Sequence, residues 1–173
     1  MLYVSKSVTI NRPRMEVYQF WRKLEHLPVF MQHLESVRED GPTRSHWVVR
    51  GPAGSSIEWD AEITREDPGR ALEWHTLEGS EVANEGAVQF VDALGDRGTE
   101  VYVKLQYDAP AGSAGAAVAK LFGEEPSQQL RDDLRRLKQV LETGEVVRSE
   151  GSLLGAGQGA TKQRPAQAKG AGA

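Results

Sequence analysis

The sequence contains no cysteine. Disulfide bonds and thiolate metal sites are therefore excluded, and the absence fits a reducing cytoplasm, where we expect this chain to act. No apolar run approaches the roughly 20 residues that a membrane-spanning helix requires. The first residues lack both the basic region and the apolar core of a signal peptide. We therefore expect neither a transmembrane segment nor a cleaved leader.

An excess of positive charge is also lacking. The chain has 21 Lys and Arg residues against 25 Asp and Glu residues, which gives a formal net charge of −4. A nucleic-acid surface needs a clustered cationic face, and no such cluster occurs, so nucleic acid is excluded as a partner. The spacings of the four histidines match no metal motif, and no phosphate-binding loop or nucleophile elbow is present. We predict no metal site and no cofactor.

The length of 173 residues suffices for one domain with a substantial core. Towards the C-terminus the composition changes to mostly Gly, Ala, Gln and Ser with scattered basic residues. Such a segment has too few apolar side chains to order itself. We therefore expect one domain over residues 1–146 and a low-complexity Gly/Ala-rich tail over residues 147–173.

The longest helical pattern covers residues 112–142. Leu130, Leu134, Leu137 and Leu141 recur at spacings of four, three and four, which predicts one apolar stripe along a helix. Pro126 removes one main-chain hydrogen bond, so we predict a kink or a break there. Charged residues occupy the positions between the leucines and are predicted to face water: Arg131, Asp132, Asp133, Arg135, Arg136 and Lys138.

Upstream of this helix the pattern predicts a strand over residues 2–10, a helix capped by Asn11 or Arg12 that starts at Pro13, and a short second helix over residues 29–34. A meander of alternating strands follows.

In the strand predicted over residues 55–66, Trp59 lies on the apolar face, while Glu58, Asp60 and Glu62 share the other face. Strict alternation of apolar and polar residues indicates one buried face and one solvent-exposed face of the strand. We therefore interpret the three carboxylates as solvent-facing rather than catalytic. The same parity directs Arg50 and His75 outward, and a register shift of one residue would reverse them.

Several short segments of the sequence resemble those of a known protein family. They are INRP (residues 10–13) before an amphipathic helix, WR (21–22) followed by LP (27–28) and FM (30–31), GPAG (51–54), EWDAEI (58–63) and LFGEEP (121–126). These segments resemble the bacterial polyketide cyclase/dehydrase and lipid-transport proteins of the START-like, SRPBCC superfamily. The resemblance covers residues 2–144. It implies an α+β helix-grip fold, in which a curved antiparallel sheet wraps around the long C-terminal helix and encloses an apolar cavity.

The cavity that the resemblance implies would be lined by side chains with a predicted inward direction. Large aromatic residues also fill cores without any ligand, so each of these side chains has a purely structural interpretation as well. His33 and Tyr107 are the candidates for a residue that transfers a proton. The candidate ligand-binding residues are Phe30, Met31, Trp47, Trp59, Trp74, Phe90, Val103, Tyr107, Val118, Leu121 and Phe122.

Three functions fit this pattern. The first is non-catalytic binding or transport of a small lipophilic molecule, such as a lipid, an isoprenoid quinone or a polyketide-like aromatic. The second is a cyclase or dehydratase, which a buried ionisable residue in the cavity would favour. The third is a regulatory module with a filled core that binds a protein partner, which a cavity too small for any ligand would favour.

Overall fold

A computed structural model of the chain describes residues 2–80, 82–108 and 126–144. A 3₁₀ turn, Leu24–His26, joins the first two helices. The elements follow in the order β1 (Leu2–Ile10), α1 (Arg14–Arg22), α2 (Leu27–Phe30), β2 (Leu34–Glu39), β3 (Arg44–Arg50), β4 (Ser56–Asp67), β5 (Ala71–Thr76), β6 (Ala83–Asp92), β7 (Thr99–Asp108) and α3 (Pro126–Thr143).

The seven strands form one antiparallel sheet in the order β1-β7-β6-β5-β4-β3-β2. Strands β2 to β7 are a meander, and β1 pairs with β7 at the far edge. The sheet curls into a half-barrel, and α3 packs against it, mainly on β1. Register shifts between Leu34 and Ser36 in β2 and between Ile63 and Arg65 in β4 mark irregularities of the bulge type, which bend strands. The predicted α+β helix-grip fold is confirmed.

The inner face of the sheet carries the apolar residues that alternation predicts. In β4, Trp59 is buried, whereas Glu58 and Asp60 are exposed and Glu62 is half-buried. In β5, Trp74 is buried and its neighbour His75 lies on the other face, with only partial burial. The solvent-facing interpretation of the three carboxylates is therefore consistent with the structure.

Helix α3 packs its leucine stripe against the sheet. Leu130, Leu134 and Leu137 are buried, and Leu141 is partly buried against the same core. The helix begins at Pro126, the residue where the sequence predicts a kink or a break. The preceding part of the predicted helix, with Val118, Leu121 and Phe122, lies outside the described residues, as does the predicted tail.

Asp133 departs from the predicted solvated face of α3. Its side chain is only 5% exposed. Residues three and four apart share one side of a helix, and Asp133 is three after Leu130 and four before Leu137. The prediction that Asp133 faces water is wrong, because this spacing places the residue within the arc of the leucines.

The two N-terminal helices differ from the prediction at their starts. Pro13 is the N-cap of α1, with extended backbone angles and no side-chain cap, so neither Asn11 nor Arg12 caps the helix. Helix α2 covers Leu27–Phe30 and contains Pro28 in its first turn. Proline is tolerated there because its missing N–H would have no helical partner.

One end of the core is filled by aromatic side chains from α1, α2 and β6. The rings of Trp21 and Phe30 lie 5.3 Å apart between centroids, and those of Tyr18 and Phe90 lie 5.6 Å apart, edge to face. Such contacts stabilise a core beyond the area that they bury. The core is therefore filled at this end of the half-barrel, and any internal space lies at the other end.

Among the residues that the structure describes, no helix is long and apolar enough to cross a membrane.

Candidate functional site

A partly open cavity of about 60 Å³ lies between the inner face of the sheet and the first turns of α3. Strands β2 to β7, the segment that follows α2, and α3 all contribute to it. Its lining residues are Met31, His33, Leu34, Trp47, Val49, Trp59, Trp74, Asn84, Leu105, Tyr107, Pro126, Gln129, Leu130 and Asp133.

The volume limits what the cavity admits. A cavity needs a volume of about 10–15 Å³ to hold one water molecule, and typical ligand sites have volumes of roughly 300–1,000 Å³. A space of about 60 Å³ therefore holds a few waters or the end of a ligand, such as one ring or the tip of a chain. A larger molecule must leave part of itself outside or widen the cavity.

Three tryptophans from adjacent strands form an aromatic wall of the cavity. Trp47 in β3 is directly opposite Trp59 in β4, and their ring centroids lie 6.0 Å apart with planes inclined by 17°. Trp47 and Trp74 of β5 are 6.4 Å apart with planes inclined by 18°. Aromatic pairs in stacked arrangements contribute about 0.5–1.5 kcal/mol beyond the area that they bury, and all three rings line the cavity. We call Trp47, Trp59 and Trp74 the tryptophan wall.

Two small residues hold the tryptophan wall in place. The indole Nε1 of Trp47 donates a 2.8 Å hydrogen bond to Oγ of Ser45, and both groups are buried. The indole of Trp74 lies over Gly86 on the neighbouring strand, so closely that a Cβ at residue 86 would overlap its Cζ2 and Cε2 atoms. Only glycine leaves the space for that ring position.

The polar part of the cavity is built around Asp133. Its Oδ1 accepts a 2.7 Å hydrogen bond from Arg136 Nη1 and a 3.4 Å hydrogen bond from the main-chain N–H of Gln32. Nη2 of Arg136 donates a 2.8 Å hydrogen bond to Oε1 of Gln32. The two contacts with Gln32 tie α3 to the segment after α2, beside the lining residues Met31 and His33, and the Arg136–Asp133 hydrogen bond lies within α3.

Burial shifts the ionisation of the groups in the cavity. It raises the pKa of Asp133 to about 7, against the opposing effects of the Arg136 charge and the Gln32 hydrogen bond. Burial also raises the pKa of Tyr107, and the charge of Asp133 adds to that effect. The pKa of His33 is lowered by burial and then by the charges of Arg136 and Arg50. These shifts favour the uncharged forms of Tyr107 and His33 and place the pKa of Asp133 close to neutral pH.

Two amide side chains in the lining have buried oxygens without a donor. Oδ1 of Asn84 and Oε1 of Gln129 accept no hydrogen bond from the part of the chain that the structure describes. Asn84 points inward in β6 with the parity of Val88 and Phe90, and its main-chain N–H donates to Oγ1 of Thr76 over 3.1 Å. Buried polar atoms usually have partners, so both oxygens mark a place for a water or a ligand.

The structure brings together about half of the predicted ligand-binding residues. Met31, Trp47, Trp59, Trp74 and Tyr107 line the cavity, together with the proton-transfer candidate His33.

Phe30, Phe90 and Val103 are buried in the core but are not among the residues that line the cavity. Sequence reasoning missed Asp133, Asn84 and Gln129. For Asp133 the missed signal is its three-residue spacing from Leu130, and for Asn84 it is a polar residue at an inward position of β6.

Comparison with known proteins decides the family. Residues 10–135 match the model of the family described as polyketide cyclase/dehydrase and lipid transport. The chain belongs to this family. An uncharacterised 17.2 kDa protein of Streptomyces lincolnensis is 32% identical over 142 residues, which are 82% of this chain and 91% of the relative. The START-like family resemblance of the sequence is thereby confirmed.

Solved structures agree on the fold. A Deinococcus radiodurans protein is 41% identical, with a TM-score of 0.68 over 83% of this chain and all of its own. The ZhuI aromatase/cyclase from Streptomyces sp. R1128 is 16% identical, with a TM-score of 0.59 over 84% of this chain and 99% of its own. At that identity the second likeness shows the fold alone. The family description supports a ligand-binding or cyclase-type role.

Proposed function

We propose that this protein binds a small, mostly apolar molecule in the cavity between the sheet and α3. One end of the ligand lies against the tryptophan wall, and a polar group of the ligand faces Asp133. The observation that carries the proposal is the convergence of three stacked indoles and a buried carboxyl in one partly open cavity. Mostly apolar sites with a few polar groups are typical of small-molecule binding.

Transfer of apolar surface from water would drive binding. Each Å² of apolar surface that the ligand and the tryptophan wall remove from water contributes about 25 cal/mol. The polar groups contribute orientation more than affinity, because a hydrogen bond to the protein replaces one to water. The volume of about 60 Å³ restricts the inserted part to an end group.

Benzene is a suitable probe of this proposal because it is a single apolar ring. A ligand that binds only the folded state raises the melting temperature. We expect benzene at about ten times its Kd to raise the melting temperature by about 3 °C or more. The variant Leu105→Phe replaces a lining side chain by a larger aromatic one, which reduces the space for benzene. It is expected to abolish this rise in the melting temperature.

Leu94→Phe is the matched control, because Leu94 is 92% exposed and lies outside the cavity. It should respond to benzene as the wild type does. Equal responses of both variants would contradict binding in the cavity. No response of the wild type would instead favour the filled-core, protein-binding alternative.

A cyclase or dehydratase activity is a second candidate, and Asp133 favours it. A group whose pKa lies near the working pH can both donate and accept a proton efficiently. The pKa of Asp133 is raised to about 7, and the carboxyl shares the cavity with Tyr107. In this candidate Asp133 protonates a leaving hydroxyl of the bound molecule, which departs as water. His33, in the same lining and with a lowered pKa that favours its neutral imidazole, takes the proton that the neighbouring carbon loses as the double bond forms.

Replacement of neighbouring carboxylates separates the two candidates. A turned-over ligand would differ from the bound one by the mass of one water. Asp133→Asn should abolish that product and keep ligand binding, whereas Asp132→Asn, at a less buried position, should retain both. If the wild type releases the ligand unchanged, the catalytic candidate is wrong and only the binding function remains.

A further inference from the structure

We infer that the ligand of this cavity carries at least one hydrogen-bond donor, a hydroxyl or an N–H group, on its inserted apolar end. The inference rests on the proposed binding function and narrows its ligand class. Among lipophilic molecules it favours phenols, quinols and alcohols. It disfavours ligands whose polar atoms are acceptors only, such as oxidised quinones and ethers.

The first observation is the pair of orphaned acceptors. Oδ1 of Asn84 and Oε1 of Gln129 both belong to residues that line the cavity, and both are buried without a donor from the described residues. Asn84 is only 8% exposed, so bulk water does not reach it freely. A buried acceptor that stays unpaired costs about 1–3 kcal/mol, which a ligand donor would remove.

The second observation concerns Asp133. Both hydrogen bonds that it accepts from described residues, from Arg136 and from the Gln32 main chain, end on Oδ1. Its other oxygen, Oδ2, accepts none from those residues. When Asp133 is ionised, Oδ2 is therefore a third acceptor in the same lining, on the helix that also carries Gln129.

Within the tryptophan wall, Trp47 does not offer its indole N–H to a ligand. The Nε1–H of Trp47 is already bonded to Ser45, so this ring contributes its carbon surface. An acceptor-only ligand could receive a hydrogen bond from an amide NH₂ group of Asn84 or Gln129, but both amide oxygens would remain unpaired. Sites that hydrogen-bond a hydroxyl reject analogues without it more strongly than apolar sites reject an extra methyl group.

Phenol and its methyl ether, anisole, form the matched probe pair. Both are single rings, and anisole is the more apolar, so apolar transfer alone favours anisole. Binding is followed by the indole N–H signals of ¹⁵N-labelled protein. Trp47, Trp59 and Trp74 line the cavity, whereas Trp21 lies in the filled part of the core and is the internal reference. We expect phenol to bind about tenfold more tightly than anisole.

Acceptor removal should reverse this preference. Gln129→Met together with Asn84→Leu keeps the size of both side chains and removes both oxygens. At about pH 6, where the Asp133 carboxyl is mostly protonated, we expect this double variant to bind anisole at least as tightly as phenol. Gln128→Met is the control at an exposed neighbouring residue, and it should keep the preference for phenol.

The outcomes separate this inference from the proposed function. If both probes move the three cavity signals and anisole binds as tightly as phenol to the wild type, the donor inference is wrong and cavity binding stands. If neither probe moves them, the proposed function is wrong and the inference falls with it. An unchanged phenol preference in the double variant would also overturn the assignment to Asn84 and Gln129.

Discussion

Arg136 donates a 2.7 Å hydrogen bond to Asp133, and yet the pKa of that carboxyl is raised to about 7. Burial outweighs the opposite charge, because removal of a carboxylate from water destabilises its charged form more than this ion pair stabilises it. The cavity thus holds a carboxyl that still binds a proton at a pH where an exposed aspartate is fully ionised. Asp133 is therefore the group in the cavity whose charge changes near neutral pH.

The raised pKa of Asp133 predicts how stability depends on pH. Between about pH 4 and pH 7 the folded state binds more protons at Asp133 than the unfolded state, so the free energy of unfolding falls as the pH rises. Asp133→Asn removes this loss. We expect the variant to be more stable than the wild type at pH 8, by on the order of 2 kcal/mol, and to show a flatter pH profile in urea unfolding.

Asp132→Asn is the control for this prediction, since it changes a less buried carboxylate on the same turn. Its pH profile should follow that of the wild type. Parallel profiles for Asp133→Asn and the wild type would mean that the Asp133 carboxyl ionises as an exposed one does.

The close approach of Trp74 to Gly86 predicts a steric effect. An added Cβ overlaps the indole ring, so Gly86→Ala forces Trp74 to move. Overpacking of a core typically costs about 1–3 kcal/mol, and we expect a loss of that size. The near-UV circular dichroism of the tryptophan wall should change as well.

A second substitution tests whether the clash is the cause. Trp74→Phe introduces a smaller ring, so adding Gly86→Ala to Trp74→Phe should cost much less than adding it to the wild type. Additive losses would show that the glycine matters for another reason, such as strand flexibility.

His46 gives a prediction on the outer face of the sheet. Its Nδ1 lies 2.9 Å from Oδ1 of Asp60, and this hydrogen bond, with a further contribution from Glu58, raises the pKa of His46. A raised histidine pKa stabilises the fold below the unfolded pKa of about 6.5, and this stability is lost as the pH rises through the folded value.

An NMR titration measures this pKa directly. Asp60→Asn should lower the pKa of His46, and Glu62→Gln, which alters a carboxylate further along the same strand, should leave it nearly unchanged. A histidine pKa at or below the ordinary value in the wild type would contradict the pairing.

Most of the fold follows from local patterns in the sequence. The alternation around Trp59 predicts both faces of β4, and the leucine spacing predicts the buried side of α3. Asp133 shows where that reasoning fails. Its polarity suggests a solvated position, but its spacing from Leu130 places it inside, because position on the helix decides burial here and polarity does not.

The extent of the cavity is harder to predict because it depends on which aromatic residues pack against each other. Phe30 and Trp59 have the same predicted inward direction, but Phe30 packs on Trp21 in the filled end of the core, whereas Trp59 stacks on Trp47 in the cavity wall. Only the tertiary arrangement distinguishes them. The orphaned oxygen of Asn84 has a sequence signal, an amide at an inward position, but its lack of a partner is visible only in the structure.

Native mass spectrometry of the protein purified from its own source organism tests the central claim most directly. We predict a one-to-one adduct of an apolar molecule that carries a hydroxyl or an N–H group, retained in Leu94→Phe and lost in Leu105→Phe. The bare mass of the chain in all three proteins would contradict the account that this cavity exists to bind a ligand.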